Sequence, residues 1–149
     1  MLTKSIKYKM PDFLENIVTH EHYLKWLHRK AMSHIKRDRS RGNSSSSNEE
    51  YKIAIHNAVI ESGGVDAYTG EELDWTLIGK YDNDESKNLK REYKKSFALL
   101  PSIDHVNDGL GAADFKICSW RTNDSKHDLT HIEFYELCLK VVEEYKQNK

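Results

Sequence analysis

Toward its C-terminus the sequence gathers side chains that could work together on a phosphate ester. Asp104 and His105 close the apolar run Phe97 to Ile103, and Asn123, Lys126 and His127 lie just beyond a second apolar run, Phe115 to Trp120. A carboxylate and an amide oxygen are hard donors that suit a hydrated divalent cation, and an imidazole can take a proton near pH 7. Hydrolysing a phosphodiester needs a water made nucleophilic, the phosphate charge neutralised and the departing 3′ oxygen stabilised; one histidine and one divalent metal supply all three.

The elements that must position these residues follow from the pattern around them. Both apolar runs read as strands, and the polar stretch Asn107 to Gly111 turns the chain between them. If residues 121 to 128 form a helical turn, Asn123 and His127 are an i, i+4 pair facing the same way. The expected fold class is α+β, a small hairpin-and-helix core flanked by N-terminal and C-terminal helices. Residues 1–62 read as a helical N-terminal region with a basic stretch and a serine-rich linker. Residues 63–149 read as the core with its C-terminal helix, the whole forming one compact domain.

Asp-His at the end of one strand and Asn-x-x-Lys after the next resembles the HNH endonucleases, whose site is a ββα-metal motif. The resemblance covers residues 66 to 134 and is densest at 101 to 134. It implies a metal-dependent endonuclease acting on DNA, with His105 as general base and with Asp104 and Asn123 holding one Mg²⁺ or Mn²⁺. Asp114, nine residues before Asn123, stands where the family usually has an asparagine that pins the loop behind the catalytic histidine, which implies a loop-holding role. His127 is either a third metal ligand, as in the colicin-type branch, which would widen tolerance toward Mn²⁺, Co²⁺, Ni²⁺ or Zn²⁺, or a solvent-facing histidine. Many HNH proteins also hold a structural zinc on two Cys-x-x-Cys knuckles. The corresponding positions here are Asp66 and Thr69, then Ser119 and Thr122, so the resemblance is to a zinc-less branch and no structural zinc is expected. The Tyr68-Thr-Gly70 turn and Leu73 are kept. Cys118 and Cys138 lack metal-ligand spacing and read as small reduced core residues. Thr130 and Glu133 form a capping box between His127 and His131, which starts a new helix there and argues against a zinc pair.

Composition sets the remaining bounds. At 149 residues and 38% hydrophobic, the chain suffices for one domain with a modest core. No apolar run approaches the ~20 residues of a membrane span, no signal-peptide core opens the chain, and two unpaired-looking cysteines suit a reducing interior; a cytoplasmic protein is expected. The net charge of −1 is not that of a whole-surface nucleic-acid binder. Positive charge is instead clustered, at His28-Arg-Lys30, at Lys36-Arg-Asp-Arg-Ser-Arg41 and from Lys87 to Lys95. Acid concentrates at Asp82, Asp84 and Glu85 and in the last helix. Lys36, Arg37, Arg39 and Arg41, on a basic helix separate from the metal site, are expected DNA contacts, as are Arg121 and Lys126 on either side of Asn123. Lys87 to Lys95 either touches DNA or is a solvated face.

Thr19 caps a helix whose apolar positions Tyr23, Leu24, Leu27, Ala31 and Ile35 fall near helical spacing, ending at Gly42. Asn43-Ser-Ser-Ser-Ser-Asn48 reads as a mobile linker. A second helix is expected from Glu49 to about Glu61, stopped by Gly63-Gly64. Asp66 to Leu77 gives a turn and a short strand, with Trp75 in the core. The last helix, Thr130 to about Lys146, puts Phe134, Leu137, Cys138, Val141 and Tyr145 on one face, expected to cover the hairpin from behind. A second functional reading is a non-catalytic DNA-binding module on the same scaffold. Because Asp104, His105 and Asn123 are all of catalytic type, the enzyme reading is preferred.

Overall fold

A computed structural model describes residues 7–79, 95–106 and 109–148. Its elements, in chain order, are a 3₁₀ turn (Asp12–Leu14), helix α1 (His20–Ser40), helix α2 (Asn48–Ser62), a 3₁₀ turn (Trp75–Leu77), strands β1 (Pro101–His105) and β2 (Phe115–Ser119), and helices α3 (Trp120–Lys126) and α4 (His131–Gln147). The mixture of helices with one small antiparallel sheet is α+β. Among the described residues, no helix is long and apolar enough to cross a membrane. Lys87, Lys90, Arg91 and Lys94 of the second basic cluster, and Asp82, Asp84 and Glu85, lie outside the described residues.

Local chemistry accounts for the helix ends. The Thr19 hydroxyl accepts from the His22 N–H to open α1. Ser47 and Glu50 form a reciprocal capping box at the head of α2, which ends on Gly63 in the left-handed conformation, where a side chain would be strained. Thr130 and Glu133 form a second box and begin α4 where the spacing predicts.

The buried stripe of α1 runs Tyr23, Trp26, Leu27, Ala31, His34, Ile35, Asp38. It packs with Tyr51, Ile55, Ala58 and Val59 of α2, and this pair shares one core with Ile103, Phe115 and Ile117 of the hairpin. N-terminal helices and C-terminal hairpin therefore stabilise each other. Trp75 lies in that core and its indole N–H donates to the Gly64 carbonyl. Val65 and Glu72 form an isolated bridge, and a 3₁₀ turn replaces the short strand expected before Leu77.

The register of the hairpin pairs Pro101 with Ser119 and His105 with Phe115. Neighbouring strand residues face opposite ways, so Asp104 and Ser102 share one face while His105 and Ile103 share the other. This alternation decides the layout of the site, because α3 serves the first face and α1 the second.

Two expectations about the periphery are overturned. Asn43 to Asn48 is not a loose linker. The Asn43 amide donates to the carbonyls of Gly109 and Gly111 at 2.7 and 3.1 Å, the Ser45 hydroxyl also reaches Gly111, and Ser46 accepts from the Ala113 N–H. A serine-rich stretch supplies hydroxyls and amides that satisfy a glycine loop's carbonyls, and composition alone does not tell such a latch from a tether. The last helix does not cover the hairpin either. No residue of α4 is buried, and Cys138, expected in the core, is exposed. Its first turn meets the body, where His131 and Phe134 pack edgewise on Tyr68.

Candidate active site

A cleft of about 260 Å³ opens between α1, the end of β1 and α3, lined by Asp104, His105, Asn123, Lys126 and His127 together with His34, Arg37 and Arg41. The sequence-predicted cluster and half of the predicted basic helix thus meet at one place. The basic stretch is a wall of this cleft, not a surface apart from it.

His105 is fixed on several sides. Asp38 of α1 places Oδ2 2.9 Å from His105 Nε2, and the same carboxylate accepts from the Tyr51 hydroxyl at 2.5 Å. Burial alone would raise the Asp38 carboxyl, but the hydrogen bonds from Tyr51 and His105 outweigh it and hold the group below the usual carboxylate range. Phe115, its cross-strand partner, and His34 pack against the imidazole with ring centres 5.0 and 5.3 Å away. Gly109, at φ +73°, lies against the Cγ–Cδ2 side of the ring: a Cβ there would stand 3.0 Å from both atoms. Glycine is required at that position both by the left-handed backbone and by the imidazole against it.

His34 lies one helical turn before Asp38 and is buried. Burial, reinforced by the Arg37 cation, pushes its pKa down to about 3, so the ring is neutral near pH 7. Its Nδ1 is buried and has no hydrogen-bond partner among the described residues.

On the opposite face of β1, Asp104 accepts from the Tyr68 hydroxyl and from the Lys126 ammonium at 3.1 Å. Both members of that ion pair are almost fully buried. Beside it, the Asn123 amide nitrogen donates to Ser102 Oγ at 2.8 Å and leans toward the Ile103 carbonyl at 3.4 Å. These bonds orient the side chain along the cleft, and among the described residues they engage its amide nitrogen and not its oxygen.

Several predicted roles change. Lys126 is not an open phosphate contact but the buried counter-ion of Asp104. Arg121, also expected at DNA, is exposed and paired with Glu71. Lys36 and Arg39 are exposed on α1 without lining the cleft, and Arg39 reaches Asn48 at 3.3 Å. His127 closes the turn as the C-cap of α3, its N–H bonded to the Asn123 carbonyl at 3.0 Å, and both residues line the cleft. The helix stops at Lys126, His127 takes φ +53°, and its side chain is 80% exposed beside Asp128. Asp114 is exposed and meets β1 through its backbone, its carbonyl accepting from the Val106 N–H at 2.9 Å; Asn43, Ser45 and Ser46 hold the loop's other side.

The four knuckle positions do converge. Asp66, 1% exposed, accepts from the N–H groups of Tyr68, Thr69 and Ser119 at 2.7, 3.1 and 2.9 Å, and from the Thr122 hydroxyl. Burial would raise this carboxyl too, but those four donors outweigh it and hold it low. Its place is structural: it ties the 66–70 turn to the junction of β2 and α3, and so sets Tyr68 and Lys126 on Asp104.

His34 and Asp38 are the site residues missed at the level of sequence. The signal that could have found them was phase: Leu27, Ala31, His34 and Asp38 continue one 3–4 spacing, which places two titratable groups on the core side of a helix whose neighbouring residues are basic. Among the described residues, no group of three or more histidines, cysteines and acids is placed to hold a metal ion. No protein-family model matches the chain, and no curated protein and no solved structure matches it.

Proposed function

We propose that this protein is a metal-dependent endonuclease of HNH type that hydrolyses DNA phosphodiester bonds at the cleft between α1, β1 and α3. The observation that carries the reading is the convergence, in one cleft with a cationic wall, of His105, Asp104 and Asn123 on a hairpin followed by a short helix. His105 accepts a proton from the attacking water as the new P–O bond forms and the bond to the 3′ oxygen breaks. Arg37 and Arg41 hold the phosphate backbone across the cleft mouth. The buried Lys126 ammonium adds positive potential next to Asp104.

The donor set fits a hard, largely hydrated cation such as Mg²⁺ or Mn²⁺. Asp104 offers a carboxylate, and Asn123, with its amide nitrogen bonded to Ser102, offers its oxygen. When bound, such an ion supplies Lewis-acid stabilisation of the phosphate oxygens.

A second reading, a non-catalytic DNA-binding module on the same scaffold, draws support from one specific feature. Lys126 and Tyr68 already occupy one oxygen of Asp104, as they would in a site kept for structure alone. Incubating the purified protein with supercoiled plasmid separates the two. The endonuclease converts plasmid to nicked or linear form with Mg²⁺ or Mn²⁺ and stops with EDTA; the binding module shifts the DNA without cutting it.

A further inference from the structure

We propose that residues 38–43, where α1 ends, form the positioning element for His105, and that Asp38 fixes the imidazole with its proton on Nε2 so that Nδ1 is the nitrogen that receives the proton from water. The inference rests on the endonuclease reading for its chemical meaning, but its geometric content stands by itself.

Both sides of the imidazole lead back to this short stretch. On one side Asp38 Oδ2 meets Nε2 at 2.9 Å. A carboxylate accepts and cannot donate while ionised, so the hydrogen in that bond belongs to Nε2 and the neutral ring carries its lone pair on Nδ1. Asp38 is itself immobilised: it is 2% exposed, it accepts from Tyr51, and its backbone carbonyl accepts from the N–H of Asn43 at 2.9 Å. On the other side Asn43 holds the Gly109 carbonyl at 2.7 Å, and Gly109 rests against Cγ and Cδ2 of the same ring. The circuit from Asp38 through His105, Gly109 and Asn43 back to Asp38 is closed by hydrogen bonds and one tight packing contact.

Such an arrangement makes the N-terminal helices part of the reactive centre. A base works only when its lone pair points at the water and its tautomer is correct, and a carboxylate behind an imidazole secures both. Asp38 is a positioning residue: it acts through His105 and touches no reacting atom.

The direct test is the imidazole tautomer in the full-length wild-type protein, read from long-range ¹H–¹⁵N correlations at a pH where the ring is neutral. The expected result is His105 with hydrogen on Nε2; hydrogen on Nδ1 overturns the proposal whatever the activity. In Asp38→Asn the expected result is a mixture of tautomers, with kcat for plasmid cleavage roughly 10²-fold lower or more, KM unchanged and DNA binding no weaker. Asn43→Ala, which leaves Asp38 in place, is expected to keep the tautomer and lower kcat by about tenfold through the loosened packing of Gly109 on the ring. If His105→Ala is inactive while Asp38→Asn cleaves like wild type, the positioning role fails and the base role stands. If His105→Ala cleaves like wild type, the endonuclease reading itself fails.

Discussion

Asp66 and Asp104 are two carboxylates buried almost equally, 1% and 7% exposed, and they differ in who satisfies them. Asp66 accepts from three backbone N–H groups and a threonine hydroxyl. Asp104 accepts from a tyrosine and a lysine, side chains that can rearrange, and it lines a cleft. Backbone donors cannot move without moving the fold, so a carboxylate bound to them is a fixed joint. A carboxylate held by an ammonium and a phenol is bound by side chains, which rotamer changes can carry toward a ligand. Similar burial would have grouped the two; the identity of the donors separates them.

The largest expected effect breaks the comparison on the cleft side. His105→Ala should lower cleavage by roughly 10²- to 10⁴-fold, the usual consequence of losing a general base, while heat denaturation shows the domain still folded. Near-normal cleavage by a folded His105→Ala protein would remove the base from the account.

Next in size is the joint. Asp66→Ala orphans several buried donors at once, and each costs about 1–3 kcal/mol when left unsatisfied. Chemical denaturation should therefore register a loss of roughly 3–5 kcal/mol, with cleavage retained at temperatures where the variant is folded. A loss under ~1 kcal/mol would show that the hydrogen bonds around Asp66 are dispensable.

The helical wall has its own signature in acid. His34 has a folded pKa of about 3, below the ordinary histidine value, and burial lowers that of His56 as well. The unfolded chain thus binds protons that the folded chain refuses. Stability is full above the unfolded histidine pKa of about 6.5 and falls as pH drops below it, by up to about 1.4 kcal/mol per pH unit for each such histidine. Asp38 and Asp66, both held below the usual range, add a further loss as pH falls below the unfolded carboxylate value of about 3.9. His34→Phe should flatten the first part of this decline, measured by urea denaturation between about pH 6.5 and 4.5. An unchanged slope in that variant would assign the acid lability elsewhere.

The smallest effect concerns arginines. Arg37 and Arg41 line the cleft, whereas Arg121 is paired with Glu71. Replacing Arg37 and Arg41 by glutamine should flatten the dependence of log affinity on log salt by about 0.9 for each duplex phosphate that is no longer neutralised. Arg121→Gln should leave that slope alone. Equal effects from all three would mean that DNA reads the whole surface and not the cleft.

Much of this architecture was legible because its signals are local. Thr19 and the Thr130–Glu133 box mark helix starts within four residues, and the hairpin is announced by two short apolar runs around a polar turn. What escaped depends on pairs far apart in the chain. Asp38 sits amid cations in a stretch that reads as a phosphate-binding face, and only the core phase of α1 turns it toward His105. Lys126 matches a motif position, yet its burial against Asp104 depends on where Asp66 anchors the start of α3. The serines after Asn43 look like a tether until the carbonyls of Gly109 and Gly111 are there to receive them. The apolar face of α4 was legible as a pattern, but a pattern does not say which surface it meets, and here Phe134 packs on Tyr68 while Leu137, Val141 and Tyr145 are exposed.

One assay on the two carboxylates separates the reactive cleft from its scaffold. Wild type, Asp104→Asn and Asp66→Ala would be incubated with supercoiled plasmid and Mg²⁺ at a temperature where circular dichroism shows all three folded. Nicking is expected from wild type and from Asp66→Ala, and its loss in Asp104→Asn. Cleavage by Asp104→Asn at the wild-type rate, or no metal-dependent cleavage by wild type, would contradict that expectation.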